Sequence, residues 1–120
     1  MVHEIRARST LIKFCVDVFE YTALPDNPIN KHLCGQLIRS VSAPALMYAE
    51  ANAAESPADF IHKMGMALKE IRESKTCLKI FEARNHDLHP EVLSRLIDES
   101  KQLIAIFGAS INTARKNIKP

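Results

Sequence analysis

The sequence predicts an all-α fold, an antiparallel up-down-up-down four-helix bundle, and three observations carry that prediction. Glycine is scarce, with 3 in 120 residues, and every internal proline except Pro44 falls where a loop runs or a helix begins. Apolar residues recur at three-and-four spacing through long segments, and no stretch alternates as a strand does. The joins between segments are short, which favours antiparallel neighbours. With 120 residues, 47% hydrophobic and 25% charged, the chain suits a single domain, 1–120, around one core. Its basic ends, 1–8 and 116–120, are expected to fray.

The first helix, about Ile5 to Leu24, carries Leu11, Phe14, Cys15, Val18, Phe19 and Tyr21 on one side and stops before Pro25. After Pro25-Asp26-Asn27-Pro28 the second helix runs from about Ile29 to Ala54. Asn27 is placed to cap it, Pro28 occupies the first turn, and Leu33, Leu37, Val41 and Tyr48 face inward. Pro44 lies in its interior, where the ring removes a donor and meets the carbonyl of Ser40. The helix is therefore expected to bend there or to carry a break in its hydrogen-bond ladder.

Ser56-Pro57-Ala58-Asp59 is the clearest helix start in the chain: a capping hydroxyl, a proline in the first turn and an acid facing the exposed amides. The third helix extends to about Arg84, with Phe60, Met64, Leu68, Ile71, Leu78 and Phe81 inward. Asp59 with Lys63 and Lys69 with Glu73 form opposite-charge pairs four apart. Gly65 inside this helix costs up to about 1 kcal/mol relative to alanine, so close packing near Leu46 is the expected compensation. Beyond the loop from Asn85 to His89, Pro90 and Glu91 open the fourth helix. Its apolar stripe is wide: Leu96, Leu103 and Phe107 mark one edge, and Ile97, Ile104, Ile111 and Ile118 repeat every seven residues beside it. That excess nominates Ile97, Ile104 and Ile111 as an oligomer interface.

Several function classes are excluded or left without residues to carry them. No apolar run approaches the roughly 18–20 residues of a membrane span, and Met1 to Lys13 lacks a signal peptide's apolar stretch, so a cytoplasmic protein is expected. The 3 cysteines, Cys15, Cys34 and Cys77, are odd in number and form no CxxC pair, so they read as small buried hydrophobes. No nucleophile with its base, glycine-rich phosphate loop or metal-ligand spacing is present. His86 and His89 flank a loop without a supporting cluster, and Asp59 with His62 supplies half of a di-iron element whose other half is missing. No catalytic residue, metal or cofactor is assigned.

The net charge is +2, but it is unevenly placed. Residues 1–13 hold Arg6, Arg8 and Lys13 against Glu4, and the tail holds Arg115, Lys116 and Lys119 with no acid. The two ends thus carry +5 and the middle about −3. Up-down-up-down topology brings these ends together, which makes the six cations a candidate nucleic-acid contact of electrostatic, weakly specific character. The competing reading is that they solubilise the helix ends and complement the dipole of the fourth helix.

The run Gln36-Leu37-Ile38-Arg39-Ser40, then Glu50-Ala51-Asn52-Ala53-Ala54-Glu55-Ser56, Asp59-Phe60-Ile61-His62-Lys63 and Ala67-Leu68-Lys69-Glu70-Ile71-Arg72-Glu73 resembles the 23S rRNA-intervening-sequence family of four-helix bundle proteins. The resemblance covers about residues 10 to 115. It implies an all-helical subunit that assembles into a barrel-like homopentamer, without known catalytic activity. A related group of retroelement accessory proteins is associated with nucleic acid, which by analogy supports RNA or DNA as a partner. This chain departs from the family pattern at Ala43, Pro44 and Met47, where relatives usually carry Ser, Ile and Asn, and at Thr76 and Cys77, where aromatic residues are common. The expected function is that of a non-enzymatic assembling scaffold. The alternative is an RNA- or DNA-binding accessory protein.

Overall fold

The structure, a computed structural model, describes residues 2–22, 24–84 and 89–118, with side chains described from Ala7 onward. Four helices account for most of them: α1 (Val2–Tyr21), α2 (Pro28–Asn52), α3 (Pro57–Arg84) and α4 (Pro90–Ile118). Both predicted caps are formed. Asn27 is extended at φ −151° and ψ 160°, and its Oδ1 accepts from the Asn30 amide at 2.8 Å. Ser56 Oγ accepts from the Asp59 amide at 3.1 Å. Each satisfies one of the amides that a helix start leaves without an intrahelical acceptor. The first helix ends earlier than its pattern suggests, because the Leu24 amide turns back onto the Thr22 carbonyl at 2.8 Å. Helix α1 is already helical at Val2 and α4 persists to Ile118, so most of the terminal residues expected to fray belong to helices.

Contacts between distant residues fix the topology. Arg84 Nη1 donates to Asn30 Oδ1 at 2.8 Å, joining the end of α3 to the start of α2. Tyr21 meets Phe81 edge-on with ring centroids 5.9 Å apart, so α1 and α3 finish at the same end. Tyr48 meets Phe107 at 5.6 Å, which brings the C-terminal halves of α2 and α4 together at the other. Around the bundle each helix packs on the neighbours that precede and follow it, and α1 closes the ring against α4. The two aromatic pairs span its diagonals. The result is a rod of 53 × 23 × 21 Å.

The core runs the length of this rod. Val18, Leu37, Ala67, Ile71, Leu78, Leu96, Leu103 and Phe107 are all at 0% exposure, and burying each of the larger ones stabilises the fold by roughly 1.5–3 kcal/mol. Three expectations are corrected. Phe19, counted as core, is 41% exposed, because it lies to one side of the stripe formed by Leu11, Phe14 and Val18. Gly65 compensates for nothing by close packing: a Cβ built there meets nothing within 4 Å, and Leu46 is 68% exposed. Ile97 and Ile111, nominated as interface, are 4% and 5% exposed within the single chain, and Ile104 packs partly buried against the same core. A bundle helix has two neighbours, and α4 packs against α3 and α1 while Ile118 at its end stays 39% exposed.

Helix α2 is continuous through Pro44, whose ring is fully buried. The missing donor is confined to one rung, the carbonyl of Ser40. Close by, Ser42 Oγ donates to the Ile38 carbonyl at 2.9 Å and approaches that of Arg39 at 3.2 Å.

Candidate functional site

The six cations nominated from sequence divide into those the fold gathers and those it does not. One cleft of about 650 Å³ is walled by Ala7 of α1, Tyr48 and Asn52 of α2, Met64 of α3, and Phe107 and Ala114 of α4. Its walls show that the start of α1 and the end of α4 share one end of the rod, together with the α2–α3 turn. Arg8, Arg115 and Lys116 are exposed there. Lys13 stands more than a turn further along and is held by Asp17 at 2.6 Å. The hydrogen bond and charge of Asp17 push its ammonium pKa up, which marks the lysine as already paired. The side chains of Arg6 and Lys119 lie outside the described residues. The end also carries Glu50, Glu55 and Asp59, of which Asp59 is bound to Lys63 at 3.1 Å. Among the described residues that wall the cleft none is charged.

Burial raises the pKa of all three thiols, Cys15, Cys34 and Cys77, which keeps them protonated and weakly nucleophilic at neutral pH. Cys34 Sγ donates to the Thr22 carbonyl at 3.7 Å. Among the described residues no three metal-ligating side chains come together, and His86 lies outside them. His89 Nδ1 stands 3.8 Å from Glu91 Oε1 at the exposed start of α4.

Glu70 is the one described side chain with a buried oxygen, Oε2, that finds no hydrogen-bond partner. Desolvation first, then the hydrogen bond and charge of Glu73, push its pKa up, while Arg39 and Lys69 oppose the shift. It neighbours the fully buried Ser74, whose Oγ donates within reach of the Glu70 carbonyl at 3.0 Å and of Ser40 Oγ at 2.9 Å. This is a polar seam inside the α2–α3 contact.

What sequence reasoning missed is on the outside. Ile12, Val16 and Phe19 of α1 are 50%, 47% and 41% exposed, and their spacing of four and three aligns them as one stripe beside the core face. On α2, Ile38 is 42% and Leu46 is 68% exposed. No charged side chain occurs between Arg39 and Glu50. The available signal was the second apolar set on α1, adjacent to the first, which reading by period alone merges into a single face.

Among the described residues no helix is long and apolar enough to cross a membrane. No curated protein matches the sequence. The fold is similar to the crystal structure of a protein of unknown function from the S23 ribosomal protein family of Bacteroides thetaiotaomicron VPI-5482. The TM-score is 0.78 at 21% identity, over 92% of this chain and 98% of that one. The family model described as 23S rRNA-intervening sequence protein matches residues 4–109. That span takes in all of α2 and α3, most of α1 and two thirds of α4, and the chain belongs to this family.

Proposed function

We propose that the protein is a non-enzymatic, self-assembling four-helix scaffold whose working form is a closed homo-oligomer, with five copies as the number that the family resemblance implies. The observation that carries this reading is the exposed stripe of Ile12, Val16 and Phe19 on α1. Three large apolar side chains aligned along one outer helix face form an apolar surface of the kind that marks a protein contact. The protonated thiols support a role without thiol chemistry. The test is the mass in solution at micromolar concentration, where the chain alone weighs 13.5 kDa. A discrete multiple is expected, and a monomer defeats the proposal.

A second reading rests on a separate observation, the meeting of Arg8 with Arg115 and Lys116 at one end of the rod. On that reading the assembly presents a ring of cations to RNA or DNA phosphates, with little base discrimination. Purification without nuclease, followed by the absorbance ratio of the isolated protein, distinguishes a nucleic-acid-bound form from a bare scaffold.

A further inference from the structure

Two outer faces of the same chain are complementary to each other. The stripe on α1 is large and apolar, with Val16 at its centre; exposed charges close its two ends, Arg8 towards the N-terminus and Glu20 towards the C-terminus, and the Lys13–Asp17 pair flanks it. The outer face of α2 is small and shallow. Helical period aligns Gly35, Ser42 and Ala49 along it, seven residues apart, with Leu46 beside them. Gly35 has nothing within 4 Å of where a Cβ would stand, so another helix can approach its backbone closely.

The charges that bound this face are Arg39 towards the N-terminus and Glu50 towards the C-terminus, both exposed. Laid antiparallel, α1 sets Glu20 beside Arg39 and brings Arg8 level with Glu50. The spans agree: Arg8 to Glu20 is about 18 Å along the helix and Arg39 to Glu50 about 17 Å, at a rise of 1.5 Å per residue. In that register Val16 falls on Ser42 and Ile12 on Leu46. Laid parallel, the same faces bring like charges together.

We infer that the outer stripe of α1 in one copy docks antiparallel into the outer face of α2 in the next copy, with Arg8–Glu50 and Glu20–Arg39 setting the register. The inference rests on the self-assembly proposed above and names the surfaces that make it. Because α1 and α2 are antiparallel within the chain, this contact leaves neighbouring copies pointing the same way. Two different patches meet, so the contact is heterologous and makes a ring where the rotation between copies closes. Both faces are depleted of charge at their centres and charged at their rims, as interface cores are.

Light scattering on the full chain and its variants tests the contact. Val16→Asp places an unpaired charge in the seam and is expected to leave monomer with an unchanged helical circular-dichroism spectrum, since Val16 is not in the chain's own core. Ser42→Phe, which fills the groove from the other side, is expected to do the same. Glu20→Arg and Arg39→Glu are each expected to weaken assembly about threefold to tenfold, the range for a rim charge pair turned repulsive, and the double variant to restore it. If the parent assembles and Val16→Asp assembles equally well, the docking is wrong while self-assembly stands. If Val16→Asp disrupts but Ser42→Phe and Arg39→Glu do not, the stripe meets some other face and the inference is overturned. A parent that is itself monomeric removes both.

Discussion

Ser74 donates a hydrogen bond to Ser40 across the α2–α3 contact at 2.9 Å, and neither side chain has any exposure. Ser40 in turn donates to the Leu37 carbonyl at 3.2 Å, so the two hydroxyls form a short relay inside an apolar layer. Ser40 is also the residue whose carbonyl loses its helical donor to Pro44. The relay therefore crosses the α2–α3 contact at the level where α2 lacks one backbone donor.

Replacing Ser74 by Ala leaves Ser40 bonded only within its own helix, and the expected cost is about 1 kcal/mol in chemical denaturation. Ser40→Ala costs a similar amount. The double variant is expected to cost less than the two together by about 0.5 kcal/mol or more, since each single change already breaks the same bond. Strict additivity would show that the two hydroxyls are energetically independent.

Gly65 stands in the interior of α3 with open space where a Cβ would project. Gly65→Ala is accordingly expected to stabilise the protein by about 0.5–1 kcal/mol, through helix propensity and a less flexible unfolded chain. A loss of stability would show that another surface approaches this backbone.

That reversal illustrates which features the sequence discloses. Asn27 and Ser56 act through their own next few residues, so their caps and the helix starts could be read directly. The choice of which apolar residues face inward depends on how far a helix is turned about its axis. Period gives the width of a stripe but not that rotation. Thus Ile97 and Ile111, taken as surplus, fill the core, while Phe19, taken as core, faces out. The cations Arg8, Arg115 and Lys116 could be brought together from topology alone. The pairing of Lys13 with Asp17 depended on side-chain conformation, and the outer stripe of α1 was hidden by the adjoining inner one.

The same rotation makes a stability prediction. Ile97→Ala and Ile111→Ala each remove a buried side chain and are expected to cost about 2–5 kcal/mol in unfolding. Ile104→Ala is expected to cost less, because Ile104 is only partly buried. Dissociation without loss of subunit stability on changing Ile97 would return it to the interface.

Glu70 gives the protein a pH dependence with a defined sign. Its folded-state pKa lies above the ordinary 4.5 because burial and Glu73 disfavour the charged form. Between those two values the folded protein binds more protons than the unfolded chain, so stability falls as pH rises through that window and the penalty is complete above it. Glu70→Gln is expected to raise Tm at pH 7, by about one or two degrees since the group is partly exposed and screened. The gain is expected to vanish towards pH 4. An equal gain at both pH values would assign it to packing instead of ionisation.

The cation placement predicts how any nucleic-acid affinity responds to salt. Arg115 and Lys116 are exposed at the end that carries Arg8, whereas Lys13 is already neutralised by Asp17. Each phosphate contact to a single strand contributes a slope of about −0.7 to the dependence of log affinity on log salt, and to duplex DNA about −0.9. Arg115→Ala with Lys116→Ala is therefore expected to flatten the slope by about 1.4 to 1.8 per chain engaged and to weaken all sequences alike, while Lys13→Ala leaves it nearly unchanged. Equal effects from Lys13→Ala would place the contact along α1 and not at the end of the rod. Absence of binding at low salt would make these cations solubilising groups and leave assembly as the role of the fold.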